Sequence, residues 1–226
     1  MHGARVPIVL RRHAATLRAR LVAAWAVALC ASTAGGQSLD RLETSAAHPT
    51  IGYYIASGDA GSEFRPGDVE LARWALAAWQ RAIGGALELT PAPEGEALLR
   101  VHFVGAEAGQ YGEMVAIVVD GQRGAEVYIR PNTDALGPDI ASRARLDSLF
   151  RDTIVYLTCL HELGHALGLR HTANIDDVMY FFGFGGDIPA FFGRYRDALK
   201  TRDDIAKVSG LSAGDLAHLH QLYAEK

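Results

Sequence analysis

Cysteine is almost absent from this chain of 226 residues, which contains only Cys30 and Cys159. If Cys30 leaves with an N-terminal leader, the mature chain cannot form an intrachain disulfide. An exported domain of this kind would depend on its apolar core for stability. With 49% hydrophobic and 21% charged residues, the composition is typical of a globular protein and excludes a disordered or fibrous one.

Excess positive charge and membrane-spanning apolar runs are lacking as well. The 22 Lys and Arg residues are outnumbered by 26 Asp and Glu residues, which gives a formal net charge of −4. Because binding to nucleic acid needs a clustered basic surface, we expect no nucleic-acid partner. The apolar run at residues 21–31 is too short to span a bilayer comfortably, since a spanning helix needs about 20 apolar residues.

The N-terminus combines three features that are typical of a secretory signal peptide. A basic segment without any acidic residue before Asp40 is followed by the apolar run at residues 21–31 and then by the small residues STAGG. We predict a signal peptide at residues 1–36, with cleavage near residues 34–36, and a polar N-terminal arm at residues 37–49. A short membrane anchor that is never cleaved is the alternative. With cleavage, the protein would be secreted or periplasmic, without stable membrane insertion.

Strand patterns come early and helical patterns late, which predicts a single α+β domain over residues 50–226. In the first half, the pattern predicts strands at residues 50–57 and 97–105, a helix at residues 68–83 and a hairpin at residues 114–131. In the second half, a long amphipathic pattern covers residues 143–167, a Gly- and Phe-rich loop covers residues 180–193, and two helical stretches end the chain. Ser212, with Asp215 three residues later, predicts a capped start for the last helix.

The segment HELGHALGLRH, residues 161–171, contains three of the nine histidines of the chain. His161 and His165 are four residues apart, so on a helix both imidazoles can reach one metal ion. His171 cannot reach it from the same straight helix, but Gly168 can take the left-handed conformation that turns the chain back. Three protein ligands and one open position are typical of catalytic zinc. We predict one catalytic Zn²⁺ held by these three histidines.

Three further residues of this segment have predicted roles. Glu162 lies about 100° round the helix from His161, so we expect it to act on a water molecule at the zinc as general base, and not as a ligand. Gly164 would keep the outer face of the helix thin for close packing. Cys159, two residues before the first ligand, would point away from the metal and act as a small core residue.

HELGHALGLRH followed by DDVMY resembles the metzincin clan of zinc endopeptidases, whose motif HExxHxxGxxH precedes a methionine turn. Met179 follows His171 by eight residues, and the Met-Tyr pair is typical of the matrixin branch. The last segment, LSAGDLAHLHQLY, is similar to the closing helix of matrixins. The resemblance implies a metzincin-like fold with a twisted, mostly parallel sheet, an active-site helix and a C-terminal helix. It also implies an edge strand that binds extended substrate, for which Met114–Val119 is the candidate.

The chain departs from matrixins in several respects. The cysteine-containing latency segment and the His and Asp cluster for a second, structural zinc are both absent. Phe181 stands where the astacin and serralysin branches have a zinc-binding tyrosine, so we expect no phenolate ligand. Structural Ca²⁺ is possible in such a domain but is not readable from the sequence.

These features together predict a secreted zinc-dependent endopeptidase. A zinc-bound water would attack the peptide bond with Glu162 as general base, and the partner would be a peptide or protein substrate. We expect a monomer. One alternative is a non-catalytic, zinc-stabilised peptide-binding domain of the same fold, and another is a metallohydrolase that acts on a non-protein amide.

Overall fold

The described residues of the computed structural model are 49–58, 61–105 and 111–223, and they contain five strands and five α-helices. The signal peptide and most of the arm predicted above lie outside these residues. The strands are β1 (Thr50–Ile55), β2 (Glu88–Pro91), β3 (Leu99–Phe103), β4 (Gly112–Val119) and β5 (Gln122–Ile129). The helices are α1 (Asp68–Ile83), α2 (Pro138–Leu146), α3 (Ser148–Ala166), α4 (Ile188–Asp197) and α5 (Ala213–Tyr223).

The five strands form one sheet in the order β2-β1-β3-β5-β4. All neighbours are parallel except β4, which pairs antiparallel with β5 and lies at the edge. Asp120 and Gly121 link this pair with φ angles of 51° and 77°, the left-handed conformations that a two-residue hairpin turn needs. The predicted α+β fold, mostly parallel sheet and edge hairpin strand are confirmed, although the strand begins at Gly112, two residues before the predicted Met114.

Successive side chains of the central strands point to opposite faces of the sheet, so every second one points towards the helices. Val101 on β3 and Val127 and Ile129 on β5 are completely buried there. On α1, the apolar side chains recur at helical spacing and pack against α3, with Trp79 completely buried. The Trp79 Nε1–H group donates to the Leu160 carbonyl at 2.8 Å, which fixes α1 against the middle of α3. This packing places the active-site segment in the centre of the domain.

One element was missed in the sequence, and two predictions about local structure were wrong in detail. Strand β2 was not predicted, because it is only four residues long and ends in proline. The long pattern over residues 143–167 forms two helices, which meet at Asp147, where the side chain caps α3 by accepting the Phe150 N–H at 3.0 Å. Part of the predicted loop at residues 180–193 is helical, since α4 begins at Ile188 after the cap Asp187.

A buried ion pair joins the start of α1 to the start of α3. Arg151 and Asp68 have side chains that are 4% and 1% exposed, and Arg151 Nη2 donates to Asp68 Oδ2 at 2.8 Å. The same guanidinium contacts Asp152 and the Glu63 carbonyl.

None of the helices in the described residues has the length and apolar character needed to cross a bilayer.

We expect the substitution Asp68→Asn to lower the free energy of unfolding by about 3 kcal/mol, because the buried Arg151 charge loses its closest counter-ion and keeps only the longer contact with Asp152. Asp134→Asn is the matched control, since its partner Arg145 and Asp134 itself are both 63% exposed. An exposed pair of this kind contributes about 1 kcal/mol or less. Chemical denaturation of both variants measures the difference, and equal losses would contradict the role of the buried pair.

Candidate active site

Helix α3 carries the first part of the HELGHALGLRH segment in its last turns, at the centre of the domain. His161 and His165 are on one face of the helix, with ring centroids 4.8 Å apart. Each Nδ1 atom lies near a backbone carbonyl, that of Val178 at 2.7 Å for His161 and that of Leu169 at 2.9 Å for His165. Since carbonyls only accept hydrogen bonds, both Nδ1 atoms carry the proton and both Nε2 atoms present a lone pair.

Gly168 ends α3 and reverses the chain. Its φ angle is 101°, and the N–H groups of Gly168 and Leu169 donate to the carbonyls of His165 and Gly164, both at 2.9 Å. This pair of bonds is the Schellman arrangement, which favours glycine because a side chain would be strained there. The predicted turn at Gly168 is therefore confirmed, and it brings His171 back towards the helix.

The Nε2 atoms of the three histidines converge on one point. His171 Nε2 lies 3.2 Å from His161 Nε2 and 3.1 Å from His165 Nε2, and the ligand atoms of the three all lie within 4.8 Å of one another. Tetrahedral zinc with bonds of about 2.0–2.1 Å to nitrogen places its ligands about 3.3 Å apart. The three residues therefore fit a metal ion, and Glu162 is not part of this cluster.

A turn that contains Met179 packs against the last turns of α3. Met179 is completely buried, and a Cβ atom added to Gly164 would lie 2.4 Å from its sulfur and 3.0 Å from Trp79 Cζ2. Gly164 thus permits close packing, as the sequence suggested, but on the buried face of α3 and not on the outer face.

Asp215, at the start of α5, holds this turn in place. Its Oδ2 atom accepts the Val178 N–H at 2.8 Å, and its Oδ1 atom accepts the Met179 N–H at 3.3 Å. Asp215 and Ser212 also form the reciprocal capping bonds predicted for α5, both at 2.9 Å. The capped start of the last helix is confirmed, while the contact with the turn was missed because no local pattern links residues so far apart in sequence.

A model of the matrixin family matches residues 50–184, which is more than half of the chain. No curated protein matches the sequence. The chain belongs to the matrixin family. The resemblance seen in the sequence is therefore confirmed, and the family supports a metalloprotease activity with protein substrates and a bound zinc ion.

In this matrixin domain, Glu162 directly follows His161 on α3. Its side chain occupies a pocket that is open because residue 112 on β4 is a glycine. Glu162 is 7% exposed, and a Cβ atom added to Gly112 on β4 would lie 2.5 Å from its Oε1 atom. Burial raises the pKa of the Glu162 carboxyl to about 8, and the charge of Glu113 adds to this effect. Gly112 was missed from the sequence, because only the three-dimensional contact between β4 and α3 shows why it lacks a side chain.

The structure also describes two other residues that the sequence singled out, Phe181 and Cys159. Phe181 places its ring against His171, with centroids 4.9 Å apart, and offers the site only carbon atoms. Cys159 is completely buried, and burial raises the pKa of its thiol well above the usual range. It is a core residue, as predicted.

The stability of the metal-free domain should depend on pH in two opposite ways. Burial lowers the pKa of His161 to about 3 and that of His171 to about 4, below the ordinary value of 6.5. Because the unfolded chain then binds more protons, stability falls as the pH drops below 6.5. Glu162, with its pKa raised from 4.5 to about 8, contributes stability at low pH that is lost as the pH rises between these values.

Burial lowers the pKa of His165 as well, so three histidines act against one glutamate, and we expect the metal-free domain to be most stable near pH 7. Thermal unfolding in the presence of a chelator, measured across the acid and neutral range, tests this. In Glu162→Gln the decline on the alkaline side should disappear. A wild-type melting temperature that keeps rising up to pH 8 would contradict the raised pKa of Glu162.

Proposed function

We propose that this domain is an exported, zinc-dependent endopeptidase with one catalytic zinc and with Glu162 as general base. The convergence of the Nε2 atoms of His161, His165 and His171 is the observation that carries the proposal. The basic, apolar and small segments within residues 1–36 support export to a secreted or periplasmic location.

The three histidines would hold the zinc through Nε2, since these three atoms lie close together and the Nδ1 protons of His161 and His165 are donated to backbone carbonyls. Zinc bound there supplies a Lewis acid that polarises a peptide carbonyl and makes a water molecule acidic near neutral pH. The carbonyls of Val178 and Leu169 keep His161 and His165 in the correct tautomer and orientation.

Glu162 would move the proton. Its carboxylate accepts the proton of the attacking water and then donates it to the leaving amine. A cation at the three histidines lowers the pKa of this carboxyl below the value of about 8 that burial imposes, so that it is ionised when the water is activated. The buried position strengthens these electrostatic effects, because little water surrounds the carboxylate.

Strand β4 supports a peptide as the substrate. It is the edge of the sheet next to α3, and its outer backbone N–H and carbonyl groups have no neighbouring strand in the described residues. An extended peptide can pair with these groups, while its scissile bond lies close to Glu162, because Gly112 of β4 touches that side chain.

Two other functions fit these observations less well. A peptide-binding domain without catalysis needs the metal ligands and the edge strand, but it has no need for a carboxyl buried at the cost seen for Glu162. A hydrolase for a non-protein amide needs the metal and Glu162 but makes no use of the free edge of β4.

We expect the purified domain to bind about one zinc per chain, since the three histidines form one site. His171→Ala removes one of the three ligands and should lower the zinc content strongly, as measured by elemental analysis after dialysis. His220→Ala is the control, because this histidine lies on α5 and is exposed. Full zinc occupancy in His171→Ala would remove His171 from the site.

We expect Glu162→Gln to lower peptide hydrolysis by about a hundredfold or more while leaving the zinc content unchanged, because it removes a proton acceptor and no ligand. Hydrolysis of a quenched fluorescent peptide library measures the loss. Glu88→Gln, an exposed residue on β2 at the opposite edge of the sheet, is the control and should cleave at the wild-type rate. Cleavage that survives in Glu162→Gln would exclude its role as general base, and a wild-type protein that binds peptides without cleaving them would favour the binding domain.

A further inference from the structure

The edge strand β4 carries one charged side chain in an otherwise uncharged sequence. Glu113 is followed by Met114, Val115 and four further apolar residues. Its side chain is exposed, and none of the ion pairs formed among the described residues includes it. The nearby Tyr128 hydroxyl donates to Glu126 at 2.6 Å and so is engaged elsewhere.

The register of the sheet defines the direction in which Glu113 points. Gly112 pairs with Ile129, which is completely buried, so Gly112 faces the helices and contacts Glu162. Glu113 pairs with Tyr128, and it therefore faces the opposite side of the sheet. The charge thus stands one residue away from the point where β4 meets the proposed general base.

A peptide that adds to this edge would place one side chain directly opposite Glu113. Residues opposite each other on neighbouring strands share a face, where opposite charges attract and like charges repel. Two residues further along β4, Val115 faces the same side and is 40% exposed. The edge therefore offers a negative position and an apolar position on one face, two residues apart, near the bond to be cut.

We propose that Glu113 is a specificity-determining residue that selects peptides with a basic side chain opposite it and an apolar side chain opposite Val115. The inference rests on the proposed function, because it assumes that substrate pairs with β4. Edge strands also carry charges simply to prevent association with other sheets. That role predicts aggregation of a neutral variant and no change in peptide preference, so the two accounts can be separated.

The test uses peptides that differ only by Lys, Ala or Glu at one position near the cleaved bond, with each position examined in turn. At one position, the wild-type zinc enzyme should prefer Lys to Glu by about threefold to tenfold in kcat/KM, the range expected when attraction replaces repulsion in a cross-strand pair. High salt should reduce the preference. Glu113→Gln should abolish it and Glu113→Lys should reverse it.

Asp120→Asn is the matched control. It removes one exposed negative charge from the same hairpin, at a position whose φ of 51° asparagine tolerates. Because Asp120 is seven residues from Glu113, roughly 24 Å along the strand, the peptide preference should not change. Loss of the preference in Asp120→Asn as well would assign it to the general charge of the domain and overturn the proposal.

Binding of the same peptides, labelled with a fluorophore, to the zinc-loaded Glu162→Gln variant gives a second measurement. If the wild type cleaves no peptide, the proposed endopeptidase function fails, while the affinities for Lys and Glu peptides still decide the role of Glu113. Equal affinities in this variant, or a Lys preference that persists after Glu113→Gln is added, would overturn the inference even if the enzyme is active.

Discussion

The Nε2 lone pairs of His161 and His165 both face the Nε2 atom of His171, and the candidate active site of this domain depends on holding the three imidazoles in that arrangement. The Val178 and Leu169 carbonyls accept the Nδ1 protons of His161 and His165. These bonds prevent either ring from turning its N–H group towards the centre. The two acceptors beside His171 Nε2 are therefore held ready for the binding of a metal ion.

Each of the two carbonyls depends on a different part of the chain. The Leu169 carbonyl is positioned by the local turn at Gly168, within the motif itself. The Val178 carbonyl is positioned from a distance, because Asp215 on α5 fixes the N–H groups of Val178 and Met179. The family match ends at residue 184, yet Asp215, which fixes the turn that contacts His161, lies beyond that point. We therefore regard α5 as part of the active-site structure.

Features that depend on neighbouring residues could be predicted from the sequence. The four-residue spacing of His161 and His165, the glycine turn after them and the Asp120–Gly121 hairpin all follow from local geometry. Features that depend on contacts between distant segments could not be predicted. The side of α3 on which Gly164 is needed becomes visible only from its contact with Met179. The break at Asp147 is a local cap, and it was missed because the amphipathic pattern continues across it.

The surroundings of Glu162 also depend on contacts between distant segments. They explain how a buried carboxyl is accommodated at this position. Burial and the charge of Glu113 both disfavour the ionised carboxylate. A side chain at Gly112 would displace Glu162 from its pocket, so the glycine leaves room for the carboxyl. A cation bound at the histidines would offset both unfavourable effects, because attraction to it would favour the ionised form. If Glu162 is the proton acceptor that we propose, metal binding would therefore favour the charge state that proton transfer requires.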